Sequence, residues 1–504
     1  MRYTLFLLLL VAIALAPAGG CAPATEDVPP PDLLAQACGG CHLPPAPTDL
    51  PRAIWERRVL PEMGARLGFP SLGYDPAAAL PPGEHALAVA HGFYPEVPTL
   101  SYDAWHDVRA YILDRAPDTL AAPPRLRLDS LRGFTVKPFS VEDRGGSLVS
   151  FLGAGPAGLL SGSGYGELAA VDPDGPARPV HNVRLPVVHY QADSAGDLLL
   201  EIGNIYPTEA SNGTLYRYID GVRTVVADSL HRPVHFLAED LDGDGRQEIV
   251  VCEYGNYTGA LTLLRPRPGG GYVRSRLLGA AGTLRVEATD LDGDGRKDLL
   301  VLHAQGDEGI DALYQEANGS FRREPLLQFP PVWGTSWFEF VDVDGDGDRD
   351  LLTVHGDNAD YSPVIKPYHG LRIYTNDGEN HFTEAFFLPL PGATRVAARD
   401  FDADGDLDLA VACNFADFVG QPEASFVYLE RTGTPKQFNF HLRTTALALD
   451  GRWLILEAGD YDGDGDEDLA LGSFTLNPAS VPDSLNRRWR EGTTDGLLLE
   501  NRLR

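Results

Sequence analysis

Five segments of this chain are copies of one unit: DLDGDGRQEIVV from Asp240, DLDGDGRKDLLV from Asp290, DVDGDGDRDLLT from Asp342, DFDADGDLDLAV from Asp400 and DYDGDGDEDLAL from Asp460. Their starts lie 50, 52, 58 and 60 residues apart. A repeat of that length cannot bury an apolar face by itself and must stack on its neighbours, so the chain reads as a solenoid, a propeller or an array. Each copy passes from an acidic, glycine-containing loop into a short apolar run such as IVV, LLV or LAL, which is the pattern of a buried strand.

The loops carry their own chemistry. Carboxylates stand at positions 1, 3, 5 and 9: Asp240, Asp242, Asp244 and Glu248; Asp290, Asp292, Asp294 and Asp298; Asp342, Asp344, Asp346 and Asp350; Asp400, Asp402, Asp404 and Asp408; Asp460, Asp462, Asp464 and Asp468. Calcium is a hard cation that takes six to eight oxygens, and alternating side chains in a tight loop can point theirs at one ion. An EF-hand would need a bidentate Glu at position 12, where four copies hold an apolar residue and one holds Thr353. Asp-Gly runs also make ordinary hairpin turns, but turn chemistry alone does not ask for carboxylates crowded closely enough to repel one another. Up to five calcium ions, serving chiefly to hold the loops in shape, are therefore expected.

The formal charge of −31 argues against nucleic acid, whose phosphates need a surplus of Lys and Arg. Five dications would bring it to −21 (−31 + 10), so metal accounts for part of the acidity only.

These units resemble the FG-GAP or VCBS repeats of integrin-like β-propellers, in which each blade is a four-stranded sheet with such a loop between two strands. The resemblance implies an all-β propeller over residues 131–504. Two further blades fit upstream: SLVSFLGAGPAGLL with GELAAVDPDG, and a blade around Asp193 and Asp197 that has lost its calcium carboxylates. Seven blades are expected, with six or eight as alternatives. The final GLLLENRLR reads as a closing strand that pairs with an N-terminal strand and removes exposed edges.

The N-terminal part differs in kind. Cys38-Gly39-Gly40-Cys41-His42 has the CxxCH spacing of a c-type haem attachment site, in which both sulfurs bond the porphyrin and the histidine binds its iron. A zinc half-site would need a second Cys pair, and none follows. Asp32 reads as the N-cap of a helix, LLAQA, leading into the motif; AIWERRVLPEMGARLGF is a second amphipathic segment, and SYDAWHDVRAYILDRA a third, capped by Ser101. Met63, the one methionine besides the initiator, is the leading candidate for the distal iron ligand, with His85, His91 and His106 as competitors. The stretch is similar to the mono-haem cytochrome c domain at the N-terminus of some bacterial repeat proteins. That resemblance implies Cys38 and Cys41 as attachment residues, His42 as proximal and Met63 as distal ligand of one haem c. The expected fold class is thus a small all-α cytochrome c domain, residues 32–118, a Pro-rich linker, 119–130, and the propeller.

Residues 1–20 form a signal segment: Arg2, an apolar run from Leu5 to Ala16 too short to span a membrane, and small residues before Cys21. This resembles the lipobox of bacterial lipoproteins, implying lipidation of Cys21, residues 22–31 as a tether, and an extracytoplasmic, outer-membrane location; ordinary signal cleavage or an uncleaved anchor is the rival. Cys252 and Cys413 fall in apolar strands as buried thiols, with a disulfide as the alternative. The functional expectation is single-electron transfer to a redox partner protein, the propeller acting as a docking platform for that partner or for an extracellular or periplasmic ligand. The alternatives are an oxidoreductase with the haem as electron acceptor, and an adhesin-like binding protein with a haem sensor.

Overall fold

The computed structural model describes residues 30–69, 74–76, 78–141, 145–155, 158–359, 362–434, 436–476 and 480–502. The signal segment and Cys21 lie outside them. Among the described residues no helix is long and apolar enough to cross a membrane.

Seven sheets stand around one axis. Blade 1 runs from Val149 to Pro179 and blade 2 from Val187 to Leu230. Blades 3, 4 and 5 span Pro233–Leu278, Thr283–Phe329 and Thr335–Pro389, and blade 6 spans Ala393–Thr444. Each is an antiparallel meander whose first strand is innermost, and blade 6 gains a fifth strand, Asp129–Ser130, running parallel to Asn439–Thr444. Blade 7 takes Trp453–Gly459, Asp468–Ser473 and Gly496–Asn501 from the C-terminus and its outermost strand, Phe134–Phe139, from the far side of the sequence. The expected seven-bladed propeller and the expected closing pair are both present.

The residue pattern explains the radial order. The apolar runs that follow the acidic loops are the second strands, covered on both faces by adjacent blades; Leu299, Leu300, Val301 and Leu302 are wholly inaccessible to solvent. Burying each such side chain stabilises by about 1.5–3 kcal/mol. The outermost strands expose charged residues, as in Phe321–Phe329 (FRREPLLQF) with Arg322, Arg323 and Glu324, and such charges guard the sheet edges.

Antiparallel order also sorts the loops. The links between first and second strands lie on one face, whereas the links between second and third strands and between blades lie on the other. A helical unit caps this second face. Its first helix is Pro30–Cys38, so Asp32 sits in the first turn and is not the cap; two prolines open the helix instead. A second helical stretch runs over residues 52–66, with a π turn at Trp55–Val59. Pro61 lacks the N–H of a regular helix, and the local widening lets Leu60 donate to the Trp55 carbonyl. The helix Tyr102–Arg115 begins as expected, with Ser101 Oγ accepting from the Ala104 N–H at 3.1 Å.

Leu34, Trp55, Trp105, Val108 and Ile112 form the core of this unit, and Val332, Trp333, Val364 and Tyr368 of the propeller complete it. The chain then descends along blade 6, where Leu126 exchanges backbone bonds with the Gln421 side chain at 2.9 and 2.8 Å. Two helices were not anticipated: Pro82–Ala90, and Asp483–Glu491 between the second and third strands of blade 7. Cys252 and Cys413 are buried free thiols in blades 3 and 6, and no disulfide joins them.

Candidate functional site

Two groups of residues carry chemistry, and they occupy opposite faces of the ring. On the open face, each of the five acidic loops links the first to the second strand of blades 3 to 7. The first aspartate organises its loop: Asp240 Oδ1 accepts the N–H of Gly243 at 2.8 Å and of Asp244 at 3.1 Å, and Oδ2 accepts that of Gly245 at 2.8 Å. Asp290 and Asp460 repeat the pattern. Five clusters of three carboxylates, each offering oxygens within 4.8 Å of one another, result: Asp240, Asp242 and Glu248; Asp290, Asp292 and Asp294; Asp342, Asp344 and Asp350; Asp400, Asp402 and Asp404; Asp460, Asp462 and Asp464. Such sets of hard oxygens can hold calcium.

The ninth position has a second task. Glu248, Asp298, Asp350, Asp408 and Asp468 are buried at the start of the second strands. Asp298 accepts the N–H of Leu291 at 2.9 Å and of Gln315 at 2.7 Å, so it pins its own loop to the third strand. Asp350 does the same with Val343 and Asn376, and Asp468 with Tyr461 and Asn501. Asp298, Asp408 and Asp468 are not drawn into the clusters with their loop neighbours, nor are Asp244 and Asp346; Asp244 is instead engaged by Arg246.

Electrostatics favour a cation most in the later loops. Position 7 is Arg246 or Arg296 in the first two copies, each pairing with the position-5 aspartate, and is Asp348, Asp406 or Asp466 in the last three. Burial, and after it the neighbouring aspartates, push the carboxyl groups of Asp344, Asp402 and Asp406 above their usual range. Burial drives Asp408 up to about 7 despite its bonds from Tyr428 and the Arg431 N–H.

On the capped face, Cys38 closes the first helix and is half-buried, Cys41 is exposed, and both thiols are free. Burial, then the adjacent Cys41, raises the Cys38 thiol to about 11. His42 is half-buried, its Nδ1 lies 3.1 Å from the Leu43 carbonyl, and burial lowers its affinity for a proton. Met63 sits in the helix Leu60–Arg66 and packs on the same apolar cluster as Cys38. His85, His91 and His106 are exposed on the helical unit. Next to Met63, Glu62 is buried and accepts hydrogen bonds from Tyr74 at 2.8 Å, Tyr94 at 2.9 Å and Arg66 at 3.1 Å. Sequence reasoning passed over Glu62; its place beside three donors depends on residues up to 32 positions away.

Of the propeller's histidines, His231 lies near Thr258 and Glu209 on the capped face, whereas His189 and His235 meet at the central channel with ring centroids 4.4 Å apart.

The family model described as FG-GAP-like repeat matches residues 240–301 and 290–353. FG-GAP repeats are therefore present, in agreement with the seven-bladed architecture. No curated protein matches the chain. Among solved structures, a candidate 6-phosphogluconolactonase from Bacteroides uniformis is similar over 59% of this chain and 85% of its own, at 11% identity and a TM-score of 0.39. BBS1N, in a crystal structure with ARL6DN, is similar over 73% of this chain and 96% of its own, at 11% identity and a TM-score of 0.42.

Proposed function

We propose that this protein is an extracytoplasmic, lipid-anchored mono-haem c-type cytochrome that passes single electrons, with the propeller as the docking platform for its redox partner or for an extracellular or periplasmic ligand. The observation that carries the reading is the Cys38-Gly39-Gly40-Cys41-His42 motif at the end of a short helix. The donor set fits the group: two free thiols, an imidazole whose affinity for a proton burial lowers, and the thioether of Met63 on the same apolar cluster as Cys38. When bound, the haem would supply an iron that cycles between two oxidation states. Cys38 and Cys41 would hold it covalently and His42 and Met63 would ligate it, while Trp55, Trp105 and Trp333 would exclude water from its surroundings. Cys21, small residues before it and the apolar run from Leu5 support lipid anchoring at the outer membrane.

The test is expression in a host that attaches haem c to exported proteins. The expected product shows a Soret band that survives denaturation and is lost in Cys41→Ala, and Met63→Ala lowers the reduction potential and yields high-spin iron. A colourless product from a competent host rules the reading out, and an unchanged spectrum in Met63→Ala removes that residue as a ligand.

A further inference from the structure

The central channel is lined by the innermost strands of the blades, and their registers stack side chains in tiers. After an irregularity near their start, these strands bring equivalent residues to one level: His189 opposite Leu200, His235 opposite Cys252, Arg285 opposite Leu302, Trp337 opposite Val354 and Arg395 opposite Ala412. Two residues further along, toward the acidic loops, Glu287, Glu339 and Glu457 share the next level. A tier of cations and imidazoles thus lies over a tier of carboxylates, roughly 6 to 7 Å apart at strand spacing.

The two tiers neutralise one another unevenly. Arg285 of blade 4 pairs with Glu287 and lies 3.7 Å from Glu339 of blade 5, which Arg399 of blade 6 also reaches at 3.4 Å. Arg395 of blade 6 leans the other way. Its guanidinium carbon is 3.5 Å from the centre of the Trp337 ring in blade 5, with Arg285 at 3.9 Å from the same ring. Stacking of this kind holds a guanidinium against the ring face. Arg395 and Glu457 of blade 7 attract each other but form no direct ion pair among the described residues. Arg395 Nη1 is buried without a hydrogen-bond partner among the described residues, and so is His235 Nδ1 across the channel. Glu457 likewise has no hydrogen bond or ion pair there, and burial raises its carboxyl pKa. On the side of blades 2 to 4 a cavity of about 330 Å³ opens against His189, His235, Arg285 and Glu287.

A buried donor left without a partner is costly, and a separated cation and carboxylate on the innermost strands of one channel match a ligand with both charges. We propose that the channel binds a small zwitterion, an amino acid or another amine-bearing carboxylate, with its carboxylate on Arg395 and His235 and its ammonium on Glu457. A simple anion fits less well, because three glutamates stand one tier below; a simple cation meets two guanidiniums. The site is independent of the haem motif.

The experiment uses the full chain. Thermal shift with each standard amino acid, and with 4-aminobutanoate and 6-aminohexanoate, selects the best ligand, whose affinity is then measured by titration calorimetry beside butanoate and butylamine. The expected result is saturable binding of at least one zwitterion, weakened about tenfold or more in Arg395→Gln and in Glu457→Gln, with butanoate and butylamine each weaker by a similar factor. Should Arg395→Gln fail to fold, Glu457→Gln decides alone. The proposal is overturned if no zwitterion binds up to about 10 mM, if butanoate or butylamine binds as well as the best amino acid, or if affinity survives Glu457→Gln.

Discussion

Tyr94 of the helical unit and Tyr257 of blade 3 meet with their hydroxyl oxygens 3.4 Å apart, and the Arg66 guanidinium lies 5.4 Å from the centre of each ring. Phe93 adds a third ring, 5.5 Å from Tyr257, and nearby Glu84 Oε1 accepts from Thr208 Oγ1 at 2.8 Å. The contact joins segments separated by 163 residues, so it is a docking interface and not a local turn.

Tyr257→Ala removes the propeller's share of this cluster. Ring pairs and a cation over a ring contribute about 0.5–1.5 kcal/mol each, so the helical unit should loosen by about 1–2 kcal/mol while the propeller keeps its own core. Limited proteolysis should then cut the chain faster between residues 117 and 125, and the melting of the propeller should change little. Equal protease resistance in the variant would mean that Trp333 and Tyr368 suffice to hold the unit.

Calcium removal should destabilise the propeller. An ion that binds only the folded state at a hundred times its dissociation constant adds about 2.7 kcal/mol per site. After exhaustive chelation the melting temperature should fall, and titration with calcium should restore it with up to five ions bound. Asp460→Asn should lower that stoichiometry by one. Indifference of the melting temperature to chelator would leave the aspartates as turn formers only.

Ala403 holds a place that glycine fills in the other four loops. Its φ of 57° is in the left-handed region, where Gly243, Gly293, Gly345 and Gly463 have φ of 75°, 74°, 75° and 78°. A β-carbon there costs about 1–2 kcal/mol. Ala403→Gly should therefore raise the stability of blade 6 by about 1 kcal/mol, and Gly463→Ala should lower that of blade 7 by a similar amount; calorimetric melting of both variants checks the pair.

His303 gives the propeller a pH dependence of definite sign. Burial works against its protonation, but contact with Asp311 at 3.2 Å, the Asp307 carbonyl and the charges of both aspartates outweigh burial and raise its pKa; Arg323 also donates to Asp311 at 2.7 Å. A pKa raised on folding means that the proton stabilises the native state. That contribution is complete below the ordinary histidine value of about 6.5 and is lost as pH rises through the native value. Melting temperature should decline from about pH 6.5 upward, and His303→Gln should flatten this part of the profile. A slope that persists in the variant would assign it to another group.

The repeat number, the loop chemistry and the ring closure were legible because each is written locally: alternating aspartates, an apolar run after them, and a strand-like C-terminus. The helix Asp483–Glu491 was not, since only Leu485 and Trp489 mark its apolar side, and Trp489 finds its partners in Phe418 and the Leu449 carbonyl of blade 6 and its exit. The double duty of Asp298 and Asp468 was also hidden. Their chemistry suggested ligands, whereas the register places their oxygens against N–H groups of the third strand. The channel tiers depend on aligning strands more than two hundred residues apart, among them His189 and Arg395, and on an irregularity that shifts each strand before the tier begins.

The outermost strand of blade 7 has a consequence for biogenesis. Phe134 pairs with Asn501, so one of the first strands of the propeller to be made waits for the one made last. At a synthesis rate of about 5–20 residues per second, the intervening stretch keeps an unsatisfied sheet edge waiting for roughly 20–70 s. A premature stop a few codons before Gly496 would leave that edge without its mate, and such a truncated polypeptide should be a client of chaperones and proteases although every acidic loop is intact.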